Sequence, residues 1–251
     1  MKKNHWSRLL IGFIAIFALF QWSGEAFGSD RGQAGVSIGL LIVAAALGAQ
    51  RFFFSKSFGE AFFALGLGPP AKRGIFASLA VCLLLLSTIP VFASVANVSF
   101  GFYEGSIGLA PGLFFQAGIA EETLFRAYLF GHLRRRYSFW KAAGLAAIPF
   151  ILVHSFLFYQ LSWVLAAASI LLAVAMSFPL ARLFEMSGGT IWGAAFLHFV
   201  AQSTVKILVA EGESAHLFPF FWIAACAFLP QIVHGFPRGT RSTRARLPAF
   251  E

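Results

Sequence analysis

Two adjacent carboxylates and an arginine lie in the segment 117–136, AGIAEETLFRAYLFGHLRRR, whose other residues up to the final basic run are mostly apolar. An ionised side chain at the middle of a bilayer costs from ~3 to more than ~10 kcal/mol, so Glu121, Glu122 and Arg126 need partners or a hydrated cavity. On a helix, Glu122 and Arg126 are four residues apart and can pair on one face. Glu121 points about 100° away from Glu122 and needs a partner from elsewhere in the chain.

Two histidines within other apolar runs, His154 and His198, are the candidates for that partner. A carboxylate and two imidazoles in a hydrated pocket admit three chemistries. The first is hydrolysis, with Glu121 as the general base and a histidine helping to hold the water. The second is a zinc site with Glu121, His154 and His198 as ligands, although the helical HExxH spacing is absent. The third is a proton relay or a transport path. These residues alone do not decide among the three.

The composition places this site in a membrane. Of 251 residues, 59% are hydrophobic and only 12% are charged, whereas soluble domains carry about 25% charged residues. The basic residues lie between the apolar runs instead of forming one stripe with interleaved aromatics, so they predict membrane topology and no nucleic-acid partner. Cys82 and Cys226 lie inside apolar runs without metal-ligand spacing, and we expect both to be small buried hydrophobes.

Eight apolar runs predict an all-α, polytopic membrane protein with about eight transmembrane helices. The mixed segment 51–73 predicts an interfacial helix and turn that end at Pro69 and Pro70. The whole chain, 1–251, is predicted to be a single integral membrane domain that ends in a basic tail, 236–251. The eight runs are 9–22, 36–50, 74–98, about 107–133, 142–158, 161–180, 189–210 and 217–233.

The loop charges support eight spans. With that number, every one of the 19 basic residues except Arg31, Arg126 and Lys206 falls on one side of the membrane. The positive-inside rule then predicts that both termini are cytoplasmic, in the plasma (inner) membrane if the protein is bacterial.

This topology predicts a shared depth for the three candidate residues. Glu121, His154 and His198 each lie 13 residues from the cytoplasmic end of their span, which is roughly 20 Å along a helix. A carboxylate and two imidazoles at one depth on three helices can meet at one point if those helices pack together. A lone histidine within a span is often only a hydrogen-bonding contact between helices, but the combination predicts a functional polar site.

At these residues the chain resembles the CAAX-protease and bacteriocin-processing family of membrane proteins, also called the Abi family. The resemblance covers about 107–210, and its three short patterns occur in the family's order and spacing. The patterns are E-E-x-x-x-R at Glu121, Glu122 and Arg126, F-x-x-x-H at Phe150 and His154, and H-x-x-x-N/D at His198, with Gln202 at its last position.

The resemblance implies an intramembrane endopeptidase of eight helices that depends on a glutamate and acts on a peptide or protein substrate, including membrane-attached ones. Carried over by position, Glu121 activates water with help from His154. His198 and Gln202 stabilise the oxyanion, and Glu122 and Arg126 keep the site in shape. No cofactor is expected from this mechanism, and zinc is the alternative.

Gln202 departs from the family pattern, which has asparagine or aspartate there. Glutamine keeps the amide donor but adds one methylene, which changes its reach and frees one more torsion. The sequence therefore keeps a second function open, in which the chain is a catalytically inactive member that serves as a membrane scaffold, chaperone or bacteriocin-immunity factor.

Overall fold

The computed structural model of the chain describes residues 4–27 and 34–237. Most of these residues are helical, which confirms the all-α prediction. The helices are α1 (Asn4–Ala26), α2 (Gly35–Phe54), α3 (Phe58–Ala64), α4 (Lys72–Ala96), α5 (Ser106–Leu113), a π-helix (Phe114–Phe130), α6 (Gly131–Arg134), α7 (Phe139–His154), α8 (Trp163–Met186), α9 (Trp192–Ile207) and α10 (Phe218–Phe228). Short 3₁₀ turns follow α7 at Ser155–Tyr159, precede α10 at Ala215–Leu217 and follow it at Leu229–His234.

Six helical segments in the described part of the chain are long and apolar enough to cross a membrane, and the count of eight is not confirmed. The fourth predicted run, α5 through α6, carries Glu121, Glu122 and Arg126, which lower its mean hydropathy. The seventh, α9, has 16 residues and spans only about 24 Å, less than the ~30 Å hydrocarbon core. The six are Asn4–Ala26, Gly35–Phe54, Lys72–Ala96, Phe139–Tyr159, Trp163–Met186 and Ala215–His234.

Two strands that the sequence analysis did not predict connect the ends of two helices. Strands β1 (Ser99–Phe102) and β2 (Leu208–Glu211) pair antiparallel, with Ser99 opposite Glu211. Asn97, with a φ of 52°, ends α4 just before β1. The predicted seventh span, 189–210, is thus too long, because the chain leaves the helix after Ile207. Pairing satisfies backbone groups that the two helix ends would otherwise leave without partners.

The interfacial segment is confirmed as a short helix. Ser57 and Glu60 form a capping box at the start of α3, in which the Ser57 Oγ accepts from the Glu60 backbone N–H and the Glu60 carboxylate accepts from the Ser57 N–H. The predicted single domain and its boundaries stay predictions. Residues 238–251 of the predicted tail, together with Arg31, lie outside the described residues.

The apolar side chains form two buried clusters that meet at α8. One contains residues of α1, α2, the π-helix and α7, and the other contains residues of α4, α8, α9 and α10. Ala181 of α8 belongs to the first cluster and Leu180 to the second. Because the π-helix and α9 belong to different clusters, side chains between these two helices lie at the junction of the clusters.

A glycine allows these two helices to approach closely. A Cβ added to Gly118 would lie 3.0 Å from the backbone oxygen of Ala195 on α9. The start of α9 is held on its other side by Ser78 of α4, whose Oγ donates to the Gly193 carbonyl at 2.6 Å. Both contacts position the face of α9 that carries His198.

Candidate active site

The two carboxylates lie on an unusual helical segment. Phe114–Phe130 is a π-helix, and at its end the Gly131 N–H donates to the Arg126 carbonyl five residues earlier. Hydrogen bonds of this spacing widen the turn, and π segments inside helices are frequently found at functional sites. A wider turn reduces the angle between successive residues, so Glu121 and Glu122 can both approach α9.

Glu122 is the centre of a buried network. Its Oε1 lies 3.1 Å from Nη1 of Arg126, which is the ion pair that the four-residue spacing predicted. The same Oε1 accepts a hydrogen bond from His198 Nδ1 at 2.7 Å. The Glu122 side chain is fully buried and that of Arg126 is 4% exposed. Because both charges are out of water, each depends on the other.

Glu121 finds the partner that its own helix lacks. Its Oε2 lies 3.7 Å from Nε2 of His198, on the other side of the imidazole from Glu122. This separation exceeds a hydrogen-bond length. The Glu121 side chain is 14% exposed, so it is less enclosed than Glu122. The closest acidic partner of His198 is therefore Glu122, a pairing that the sequence analysis did not predict.

His154 belongs to the same site but is held separately. Its Nδ1–H donates to the backbone oxygen of Phe150 at 2.7 Å. In the neutral imidazole this leaves Nε2 as an acceptor. Among the described residues, His154 makes no ion pair within 4.0 Å, so the structure does not bring it into direct contact with Glu121.

Phe150 connects the three motifs. Its ring centroid lies 4.6 Å from that of His154 and 6.1 Å from that of His198, and the Arg126 guanidinium carbon lies 4.8 Å from it. A cation over an aromatic face is attracted to it. The sequence analysis gave Phe150 no role of its own, although its place in F-x-x-x-H marked it. One residue from α7 thus contacts the charged helix, α9 and its own histidine.

A cavity of about 520 Å³ lies next to this network. His154, His198 and Gln202 line it, together with Lys206 and mainly apolar side chains of α8 and α10. Gln202 lies one turn after His198 on α9, and within the described part of the chain its buried Oε1 has no hydrogen-bond partner. A cavity of this size with a few convergent polar groups has the character of a ligand site.

The side chains proposed as zinc ligands do not form a group of the required kind. Across residues 4–27 and 34–237, no three or more histidine, cysteine, aspartate or glutamate side chains are arranged to hold a metal ion. Cys82 and Cys226 are both free and buried, as predicted. The alternative zinc site at Glu121, His154 and His198 stays a prediction that a direct metal measurement addresses.

The fold and the site define an integral membrane protein with a carboxylate–histidine network beside a cavity. Residues 103–204 match the family model of the type II CAAX prenyl endopeptidase Rce1-like proteins. This range includes all seven motif residues and confirms the resemblance to the CAAX-protease and bacteriocin-processing family, which is a family of peptidases. Searches of curated proteins and of solved structures found no match to the chain.

Proposed function

We propose that this protein is an intramembrane endopeptidase that uses Glu121 to activate a water molecule. The observation that carries the proposal is the line of contacts Glu121–His198–Glu122–Arg126 beside a cavity that His154, His198 and Gln202 line. Glu121 is the carboxylate of this line that Arg126 does not neutralise. It is the one available to take a proton, and Glu122 with Arg126 holds His198 in place.

In the proposed reaction the water oxygen attacks the carbonyl carbon of the scissile peptide bond. Glu121 accepts a proton from the water and later delivers it to the leaving nitrogen as the carbon–nitrogen bond breaks. His154 assists because its Nδ1–H is committed to the Phe150 carbonyl, and its Nε2 is then free to accept a hydrogen bond from the water.

His198 and Gln202 are the proposed donors to the oxyanion. Since His198 Nδ1–H is directed at Glu122, the ring can also donate from Nε2 only as an imidazolium. Carboxylates on both sides of the ring favour that charge. The Gln202 amide nitrogen is the second donor, and one such donor contributes about 100- to 1,000-fold to the rate in enzymes where it has been removed.

The test is hydrolysis of a peptide library by the purified protein in lipid. Glu121→Gln keeps the shape but removes the base, so we expect turnover to fall at least about 100-fold, the range for a general base. Glu104→Gln, which changes an exposed glutamate in the turn before α5, is the matched control and should retain activity. Equal turnover by Glu121→Gln and the control would exclude Glu121 as the base.

The second candidate function is a non-catalytic scaffold, chaperone or immunity factor. The observation that favours it is Gln202 in place of the family's asparagine or aspartate, with a buried Oε1 that has no partner among the described residues. In this case Glu121→Gln would retain function in cells. Glu122→Ala and Arg126→Ala would lose it, because they disrupt the buried ion pair.

Two further chemistries have their own measurements. Stoichiometric zinc in a washed preparation, lost in His154→Ala, would support the metal-dependent alternative. Substrate flux into sealed vesicles would support transport.

The proposed orientation has both termini in the cytoplasm, in the inner membrane if the protein is bacterial. Single cysteines introduced at residues 31 and 238 in a Cys82→Ala/Cys226→Ala background test it with impermeant reagents. Labelling from outside the cell is expected at position 31 and not at position 238.

A further inference from the structure

Lys206 lies in the cavity and has no assigned role. It follows His198 by two turns on α9, and both side chains line the cavity. Within the described chain, Lys206 makes no ion pair within 4.0 Å and no side-chain hydrogen bond. The other charged groups of the site, Glu122 and Arg126, pair with each other at 3.1 Å.

A lysine ammonium in mainly apolar surroundings requires an anion. Removing the charge from water is unfavourable unless an opposite charge compensates for it. Glu121 is the carboxylate that acts on Lys206 electrostatically, from beyond ion-pair distance. Glu121 is already placed against His198 at 3.7 Å, so Lys206 can bind an anion that enters the cavity.

The position of Lys206 relative to the reacting groups sets a length. Eight residues separate it from His198, which corresponds to a rise of about 12 Å along the helix. An extended peptide advances about 3.3 Å per residue, so about 12 Å corresponds to three or four residues. An anionic group on a bound peptide would thus reach Lys206 at that distance from the bond beside His198.

We propose that Lys206 is a specificity residue that binds a carboxylate of the substrate peptide, three or four residues from the scissile bond. This inference rests on the proposed peptidase function. The carboxylate has two sources, the free C-terminus of a peptide or the side chain of an internal aspartate or glutamate. Both present the same two oxygens to the ammonium group.

The experiment uses peptides in matched pairs, with a free or an amidated C-terminus two to six residues beyond the cleaved bond. A further pair places glutamate or glutamine internally at the same distances. For the wild-type protein we expect the carboxylate form to be preferred at three or four residues. Lys206→Met should raise the KM for that form about 10- to 100-fold, the equivalent of a lost hydrogen bond to a charged group, and should leave the kcat for amidated peptides unchanged.

Three variants make the result specific to the charge. Lys206→Arg should retain the preference for the carboxylate form. Lys206→Glu should reverse it and prefer peptides with lysine at that position. Lys72→Met, an exposed lysine at the start of α4, is the matched control and should behave like the wild type. Equal losses for carboxylate and amidated peptides in Lys206→Met would overturn the inference.

Binding of the same peptide pairs is measured by fluorescence anisotropy whether or not cleavage occurs. Cleavage without any preference between the pairs contradicts the role of Lys206 and upholds the peptidase. Selective binding of the carboxylate form that Lys206→Met abolishes, without cleavage of any peptide, upholds the binding site and contradicts the peptidase. The absence of both preference and cleavage overturns both.

Discussion

The two sides of His198 differ in how their polar groups find partners. On one side, Glu122 and Arg126 are buried and their charges neutralise each other. On the other side, Gln202 and Lys206 line a cavity, where Gln202 Oε1 and the Lys206 ammonium have no polar partner within the described residues. The imidazole joins the two sides because Nδ1 faces Glu122 and Nε2 faces Glu121.

This contrast separates structural polar groups from functional ones. A pair of compensating charges in a buried place specifies how two helices dock, and it fails when one partner is removed. Groups without partners beside a cavity contribute little to folding but can bind a substrate. We therefore expect substitutions on the Glu122 side to lower stability and substitutions on the cavity side to lower activity alone.

The largest expected effect is the removal of one charge from the buried pair. Arg126→Met leaves Glu122 uncompensated and should destabilise the protein by about 3–5 kcal/mol. Thermal unfolding in detergent measures the loss. The double variant Glu122→Gln/Arg126→Met, which removes both charges, should recover a large part of it. If the double variant unfolds as easily as the single one, the pair is not the source of the stability.

Next in size is the loss of an oxyanion donor on the cavity side. Gln202→Ala should lower kcat by about 100-fold or more while the thermal midpoint stays at the wild-type value, because no hydrogen bond of the Gln202 side chain with another described residue is lost. Gln202→Asn restores the residue usual in the family and should retain turnover. A large fall in the thermal midpoint of Gln202→Ala would place this residue on the structural side instead.

A smaller effect is expected where the two sides are held together. Gly118→Ala places a methyl group 3.0 Å from the Ala195 carbonyl and should destabilise the protein by about 1–3 kcal/mol, the usual range for overpacking. It should also lower turnover, since it moves the carboxylates away from α9. Gly108→Ala is the matched control, because no neighbouring atom lies within 4 Å of its added Cβ. Equal unfolding midpoints for both variants would contradict the close approach.

The smallest effect lies outside both sides and provides a reference for experiments on pH. Hydrogen bonds from the Ser57 backbone and hydroxyl lower the pKa of Glu60 in the folded protein. A carboxylate with a lowered pKa contributes stability above its ordinary pKa, and this contribution disappears as the pH falls through the folded value. Hydrogen exchange in α3 should therefore quicken on acidification, and Glu60→Gln should abolish that dependence. An unchanged pH profile in Glu60→Gln would refute this cause.

Much of the helical framework was predictable from the apolar runs. The predicted run 74–98 corresponds to α4, Lys72–Ala96, and the run 107–133 corresponds to the continuous helix from Ser106 to Arg134. Runs of this length bury or face lipid on all sides, and helix is the backbone form that satisfies its own hydrogen bonds there. The β1–β2 pair was not predicted, because it depends on two chain segments that are about one hundred residues apart.

Within the site, residue types were more predictable than contacts. The four-residue spacing predicted the ion pair of Glu122 and Arg126, which the structure confirms. The π-helix and the bridging position of Phe150 were not predicted, because hydrogen-bond spacing and helix rotation respond to neighbouring helices. His198 was matched with Glu121, whereas its shortest contact is with Glu122.

The amino-acid sequence by itself determined that charged and protonatable side chains lie within apolar helices, and that Glu122 and Arg126 share a face. Only the tertiary structure decided which carboxylate contacts His198, which groups line the cavity and which charge there has no ion-pair partner. The physical reason is that local spacing determines neighbours along one helix. Partners on different helices depend on how the helices rotate and approach, which is set by the packing of the whole bundle.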